Sequence, residues 1–234
     1  MRVISYNLRK HAARGELEQL VETHTPNLLC LQEVDTDDLP RELGPLQLAD
    51  ATRLNRLGLA IFYNQERFEA LSTKAFALKR SLHDIIAKPA HERLLGSHLI
   101  DRKHDRELVI GCFHAAPLTA LNSLRRTQIR AAHVALDSFG PTLPTLMVGD
   151  FNYPVFKDHL STSVQETGHE VTLSDARTYT RYKFFRGHFD FATSIGLSIT
   201  RVTTLPQGQS DHLPILVTAD YAAPLDEGDA DTVA

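Results

Sequence analysis

The chain has 234 residues, of which 42% are hydrophobic and 23% charged, with a formal net charge of −4. This is ordinary for a globular protein with ample apolar material for a core, and the length suits one large domain. No internal run approaches the roughly 18 apolar residues of a membrane span, and no basic excess points to nucleic acid. The balance does not exclude nucleic acid either, because a site that holds a divalent cation must itself be acidic.

The opening MRVISYNLRKH has one Arg and then a short apolar stretch broken by Asn7 and Arg9. That is a poor signal peptide and a good first strand, over residues 2–8, followed by the polar loop RKHAARG. Residues 15–24, GELEQLVETH, carry apolar positions 17, 20 and 21 at helical spacing, and Pro26 stops the helix. Residues 28–33, LLCLQE, form a continuous apolar run, which predicts a strand buried on both faces. GLAIFYN (58–64) is a further strand, and RFEALSTKAF after it suggests a hairpin-like meander. RLLGSHLID (93–101) and ELVIGCFHA (107–115) read as a hairpin joined through DRKHDR. Residues 121–139 have a mostly helical pattern closed by Gly140 and Pro141. LPTLMVGDFN (143–152) reads as a buried strand, and FDFATS (189–194) and LPILVTADY (213–221) as the last strands.

Cys30 and Cys112 both fall inside strand-like apolar runs, so buried reduced thiols are expected rather than a disulfide. With no signal peptide evident, the expected location is cytoplasmic. No repeat or linker divides the chain. It reads as a single catalytic domain over 1–221 and an acidic tail, 222–234, with too little to bury to be ordered. Strands outnumber helices, and two sheets packed face to face with helices outside would bury them.

Five apolar strands end in polar groups: Asn7, Glu33, His114, the pair Asp150 and Asn152, and the pair Asp211 and His212. Any one alone is more often a turn or cap residue. GDFN alone could be a tight turn, SDHLP a Pro-anchored turn, and His114 a hydrogen-bonded core residue. Their joint occurrence is what those readings do not supply. A hard divalent cation takes oxygen ligands, which Glu33 and Asp211 offer as carboxylates and Asn7 as an amide. Water attack on phosphorus needs an oriented water, which Asp150 or His212 could provide. The developing charge needs donors, which Asn152, His114 and His212 could provide beside a metal. Asp190, in GHFDFATS, is the candidate carboxylate that fixes the His212 tautomer.

The segments SYNLR, LQEV, FHAAP, GDFN, FDFA and SDHLPI stand in an order that resembles the endonuclease/exonuclease/phosphatase superfamily, from about Val3 to Ala219. The resemblance implies an α+β fold, a four-layer α/β/β/α sandwich of two mostly antiparallel sheets, with the site at one end of the sheets. It also implies Mg²⁺ or Mn²⁺ as cofactor. Glu33 then looks like the principal metal ligand, Asn7 a metal-shell and phosphate contact, and Asp211 a further ligand. Asp150 looks like the residue that aligns or deprotonates water, with Asn152 on the phosphate. His212 looks like the histidine assisting the transition state, held by Asp190, with His114 the second histidine. His114-Ala115-Ala116-Pro117 and Val34-Asp35 depart from the abasic-site enzymes, and the His-Ala-Ala-Pro run is similar to that of the pancreatic-type deoxyribonucleases. Those enzymes pair this histidine with a mid-chain Glu. TRLNRLGLAIFY has no acid, so electrostatic stabilisation is the role expected of His114.

Basic residues cluster near the expected mouth: Arg9, Lys10, His11 and Arg14, then Arg53 and Arg56, then Arg177, Arg181, Lys183 and Arg186. The last group is interleaved with Tyr179, Tyr182, Phe184 and Phe185, a pattern suited to a sugar-phosphate strand with stackable bases. Arg9, Arg181 and Lys183 are the candidate substrate contacts. The alternative for this segment is a solvated loop with aromatics in the core. The expected function is a metal-dependent phosphodiesterase or nuclease acting on nucleic acid or nucleotides, with no protein partner required. The competing substrates are inositol-phosphate or phospholipid head groups, although no apolar hairpin or basic amphipathic helix is evident for a bilayer. A dead binding module would be expected to lack Glu33, Asp150, Asp211 or His212, and all four are present.

Overall fold

The computed structural model describes residues 1–55, 57–81, 92–154, 157–181 and 187–223. The strands of the first sheet are β1 (Arg2–Asn7), β2 (Leu28–Val34), β3 (Glu42–Leu43), β4 (Leu46–Ala51), β5 (Gly58–Asn64), β12 (Leu197–Thr204) and β13 (Ile215–Tyr221). They lie in the order β12-β13-β1-β2-β5-β4-β3. The second sheet holds β6 (Phe68–Ala77), β7 (Glu92–Asp101), β8 (Arg106–His114), β9 (Thr145–Asp150), β10 (Glu170–Leu173) and β11 (Asp190–Ile195). Its order is β10-β11-β9-β8-β7-β6. Three described α-helices flank them: α1 (Leu17–His24), α2 (Asn122–Leu136) and α3 (Lys157–Gln165).

Alternation along the strands explains the layers. Val3, Leu28, Cys30 and Ile61 point between the sheets and meet Leu95, Ile110, Cys112 and Val148. Their neighbours Ile4, Leu29, Leu31 and Phe62 point the other way, onto Leu17 and Val21 of α1. On the far side, Val109, Phe113, Met147 and Phe191 pack on Ile129 and Leu136 of α2 and Leu160 and Val164 of α3. Each central strand is therefore buried on both faces, which is why LLCLQEV is apolar without alternation. This is the four-layer sandwich expected from the sequence. Both cysteines are free and buried. Among the described residues no helix is long and apolar enough to cross a membrane.

The expected meander after β5 is corrected. β5 pairs with β2 and β4, whereas β6 pairs with β7 in the other sheet. The turn at Asn64–Arg67 carries the chain from one sheet to the other. Local alternation gives a strand but not its sheet, because either sheet buries one face of it. The expected hairpin of β7 and β8 forms, with Leu94 opposite Phe113. The helix expected over 121–139 is α helix to Leu136 and then a 3-10 turn at Asp137–Phe139. Residues 224–234 of the expected tail lie outside the described residues.

Two parallel pairs place the polar strand ends together. β1 runs beside β2, putting Asn7 opposite Gln32. β8 runs beside β9, putting His114 opposite Asp150. β11 is antiparallel to β9, so its first residue, Asp190, also lies opposite Asp150.

Candidate active site

Four side-chain nitrogens converge on one buried oxygen, Asp150 Oδ2. Asn7 Nδ2 donates to it at 3.0 Å and Asn152 Nδ2 at 3.1 Å. His114 Nε2 lies 3.6 Å away and His212 Nε2 3.7 Å away. These groups come from both sheets and from the loop before β13, so only the folded sandwich assembles them.

Local backbone geometry delivers each group. Gly149 has φ +152°, and a Cβ there would lie 1.8 Å from the Phe113 carbonyl oxygen, so β8 and β9 approach closely only through glycine. Asp150 Oδ1 accepts the Asn152 N–H at 2.9 Å, an Asx turn that holds Asn152 at φ 48°. Glu33 sits at φ 56°, where the β2–β5 register shifts between Gln32 and Val34. That bulge turns Glu33 out of the ladder toward the cleft. Its Oε2 accepts the Lys10 N–H at 2.8 Å and its Oε1 faces His114 Nε2 at 3.9 Å. Arg9, Lys10 and His11 are themselves in the left-handed region, a tight loop pinned by Glu33 and by the Asn7 Oδ1 contact to the Arg9 N–H.

His212 is held at one ring nitrogen and on one face: Nδ1 is 2.8 Å from Asp190 Oδ2, and the ring rests against Tyr179 with centroids 5.0 Å apart. The His212 N–H donates to Ser210 Oγ, which donates to the Asn7 carbonyl at 2.6 Å. Thr178 Oγ1 accepts the N–H groups of Phe189 and Asp190 at 3.0 Å, locking the start of β11. The other Asp190 oxygen, Oδ1, is buried with no hydrogen-bond partner among the described residues.

Burial, with Asp190 and Glu33 nearby, pushes the Asp150 carboxyl up to about 7 despite the opposing pull of His212. Burial opposes the charge on His212, but the carboxylates of Asp190 and Asp150 outweigh it and raise that ring to about 10. Burial lowers His114 to about 4, against the pull of Glu33. Burial also works against the Glu33 charge, yet His114 and the Lys10 N–H leave its carboxyl below the usual range. The site thus holds a protonated His212, a neutral His114, an ionised Glu33 and an Asp150 poised near neutrality.

Two groupings offer metal ligands. Asp150, Asp190 and His212 present atoms within 4.8 Å of one another. A His212 ring that keeps its proton between two carboxylates is a poor ligand, however. Glu33 is held below the usual carboxylate range and is partly exposed, with the Asn7 side chain beside it, and suits a hard cation better.

Of the residues expected from sequence, Asn7, Glu33, His114, Asp150, Asn152, Asp190 and His212 are linked by these contacts. Asp211 is paired with two arginines instead: Arg9 Nε lies 3.6 Å and an Arg181 guanidinium nitrogen 3.8 Å from its Oδ2. Arg56, Lys183 and Arg186, with Tyr182, Phe184 and Phe185, lie outside the described residues. Ser210 and Thr178 escaped the sequence reading. Ser210 could have been suspected from its place in SDH, but Thr178 carries no local signal.

Residues 4–212 match the family described as Endonuclease/Exonuclease/phosphatase family. Protein angel of Drosophila melanogaster is 27% identical over 164 residues, which cover 64% of this chain but only 44% of that protein. The chain therefore spans less than half the length of this curated relative. The catalytic domain of human Nocturnin with bound sulfate superposes with a TM-score of 0.73 at 18% identity, covering 95% of this chain and 94% of that one. ANGEL2, a 2′,3′-cyclic phosphatase in complex with adenosine-2′,3′-vanadate, gives 0.70 at 14% identity, covering 93% and 94%. With its two-sheet sandwich, its converging strand ends and a family match that takes in all seven linked residues, the chain belongs to the endonuclease/exonuclease/phosphatase family.

Proposed function

We propose that this chain is a Mg²⁺- or Mn²⁺-dependent phosphodiesterase acting on nucleic acid or nucleotides, with residues 1–221 as its catalytic domain. The observation that carries this reading is the convergence of Asn7, Asn152, His114 and His212 on Asp150 Oδ2. A carboxylate ringed by donors can take a proton from a water, while the same donors bind the oxygens of a phosphate placed beside it. Asp150, near neutrality, accepts the proton as the water oxygen attacks phosphorus and the ester P–O bond breaks. Asn7 and Asn152 present Nδ2 donors to non-bridging oxygens. His212 holds a proton on Nε2, secured by Asp190, and offsets the charge gathering in the transition state. Neutral His114 adds a hydrogen bond and a polar wall rather than a charge. Glu33 is the principal ligand for the metal, with the Asn7 amide oxygen and Asp211 as further candidates. The metal, when bound, acts as a Lewis acid on the phosphate.

The half-exposed Arg9 and Arg181 beside Asp211 support a substrate with phosphates beyond the scissile one. That ANGEL2, which has this fold, is a 2′,3′-cyclic phosphatase crystallised with adenosine-2′,3′-vanadate supports a nucleotide-type substrate. The two buried, free thiols support a reducing, cytoplasmic setting. The test is a panel of single- and double-stranded DNA, RNA, bis-p-nitrophenyl phosphate, inositol phosphates and sphingomyelin, each with Mg²⁺, Mn²⁺ or EDTA. Metal-dependent cleavage of an oligonucleotide is expected. Fast inositol phosphate hydrolysis with intact oligonucleotides would replace the nucleic-acid reading with a head-group phosphatase.

A further inference from the structure

The segment after β8 leaves the sheet as His114-Ala115-Ala116-Pro117, and its carbonyls lose their ladder partners there. Two buried guanidinium groups take over. Arg93 donates through one terminal nitrogen to the His114 carbonyl at 3.0 Å and to the Ala115 carbonyl at 2.8 Å. Arg125 donates through Nε to the Ala116 carbonyl at 3.1 Å and through a terminal nitrogen to the Pro117 carbonyl at 2.5 Å. Its remaining terminal nitrogen is tied to Asn122 Oδ1 at 2.7 Å. Gln128, one turn further along α2, accepts the Ala116 N–H at 2.8 Å, and the Ala115 N–H reaches the Asp150 carbonyl at 2.8 Å.

We propose that Arg93 and Arg125 are positioning residues for the reaction: they clamp four successive carbonyls, 114 to 117, and so hold the His114 imidazole over Asp150 and Glu33. This rests on the phosphodiesterase reading for the part His114 plays. Arg93 is 3% exposed and Arg125 1%, so neither reaches a substrate. The Ala115 and Ala116 carbonyls would otherwise be buried without these donors, since both residues are fully enclosed. Arg125 spans its two carbonyls through separate nitrogens of one planar group, which a lysine ammonium does not reproduce, whereas Arg93 serves both of its carbonyls from a single terminal nitrogen. His114 needs such support because its ring faces two carboxylates, at 3.6 and 3.9 Å, and among the described residues neither contact is a short hydrogen bond. A shift of the turn moves the ring directly, because His114 is the first residue of the clamped run.

The test is a mutant cycle on bis-p-nitrophenyl phosphate. Arg93→Met, which removes the donor, and Arg125→Lys are made in the wild-type chain and in His114→Ala. In the wild type, kcat should fall on the order of tenfold to a hundredfold with KM nearly unchanged. In His114→Ala the same changes should lower kcat less than about twofold. Equal losses in both backgrounds overturn the proposal. Asn122→Ala, which frees one arm of Arg125 at a half-exposed position, serves if either variant does not fold, and should give a smaller loss of the same pattern. A readout independent of turnover is the ¹⁵N–¹H spectrum of the histidine rings. The His114 signal should move in Arg125→Lys or Asn122→Ala while that of His24 stays. An unmoved His114 signal in a folded variant overturns the clamp. A wild-type chain inactive on every phosphodiester would remove the functional reading, and the ring spectrum would then decide the clamp alone.

Discussion

His212 and Asp190 are joined across 22 residues of sequence by a 2.8 Å contact between Nδ1 and Oδ2, and both are buried. The carboxylate fixes which nitrogen of the ring faces Asp150 and helps keep the second proton on it. Asp190→Asn preserves the size of the side chain but removes its charge, so the ring loses its proton and its enforced orientation. We expect kcat to fall by on the order of a hundredfold or more, with little change in KM and a native circular-dichroism spectrum. A loss under about threefold would show that His212 does not work through Asp190.

Glu33→Gln replaces an anionic oxygen ligand by a neutral one of the same shape. The Lys10 N–H can still be accepted by the amide oxygen, so the loop over residues 9–11 should survive. Mn²⁺ affinity should drop at least about tenfold by calorimetry. Equal Mn²⁺ affinity for both forms would exclude Glu33 as a ligand.

Arg181→Ala tests the mouth. Arg181 and Arg9 flank Asp211 at 3.8 and 3.6 Å, both about half-exposed, so they can exchange Asp211 for a phosphate at little cost. KM for an oligonucleotide should rise several-fold, with the salt dependence flattened by about one phosphate contact. Turnover of bis-p-nitrophenyl phosphate should be nearly unaffected. The same loss on both substrates would move Arg181 from substrate binding to support of the site.

The site was more legible than the sheet order. Asn7, Glu33, His114, Asp150 and His212 stand out because each ends an apolar run, and polar groups at such positions need a reason. Asp190 was found only by asking which carboxylate could orient His212. The membership of β6 in the second sheet was not legible, because alternation gives a strand's buried face but not its neighbours. Strands β3, β4, β10 and β12 and helix α3 escaped notice because their apolar patterns are short or half-exposed. Arg93 and Arg125 were invisible for a different reason. In a linear reading Arg93 beside Glu92 and Arg125 beside Arg126 look like solvated charges, and only the fold shows the carbonyls they serve.

Gly149→Ala should be among the most damaging single substitutions in the chain. A methyl group there would sit 1.8 Å from the Phe113 carbonyl oxygen, which is backbone within the parallel pair of β8 and β9 and cannot step aside. The residue also needs φ +152°. Relief requires parting the strands that carry His114 and Asp150. Destabilisation of about 4 kcal/mol or more is expected by urea unfolding, or loss of soluble protein. A stable, active Gly149→Ala chain would mean that β8 and β9 do not approach this closely.

A pair of histidines away from the site should make the fold acid-sensitive. His133 of α2 stacks on His169 with ring centroids 3.8 Å apart and planes 5° from parallel. Thr167 Oγ1 donates to the Val164 carbonyl, so it accepts from His133 Nδ1 at 2.7 Å; Nε2 is then free to accept from Thr193 Oγ1 at 2.9 Å. The neutral ring is fully satisfied. Burial, and then the neighbouring ring, hold His133 well below the usual histidine value. Burial also lowers His169, against the opposing pull of the Thr167 carbonyl and Asp137. The unfolded chain therefore takes up protons first as pH falls below about 6.5. The contribution is complete above that value and is lost progressively toward the lower folded values, by up to about 1.4 kcal/mol per pH unit for each histidine. His24 and His114 act in the same direction and His212 in the opposite one, so the wild-type slope alone does not assign the effect. His133→Gln does, because it keeps one donor and one acceptor for the two threonines but cannot be protonated. The variant should be less stable at pH 7.5, where the stack is lost, and should lose less stability than wild type between pH 6.5 and 5. Parallel unfolding curves for the two proteins over that interval would place the acid sensitivity in other groups.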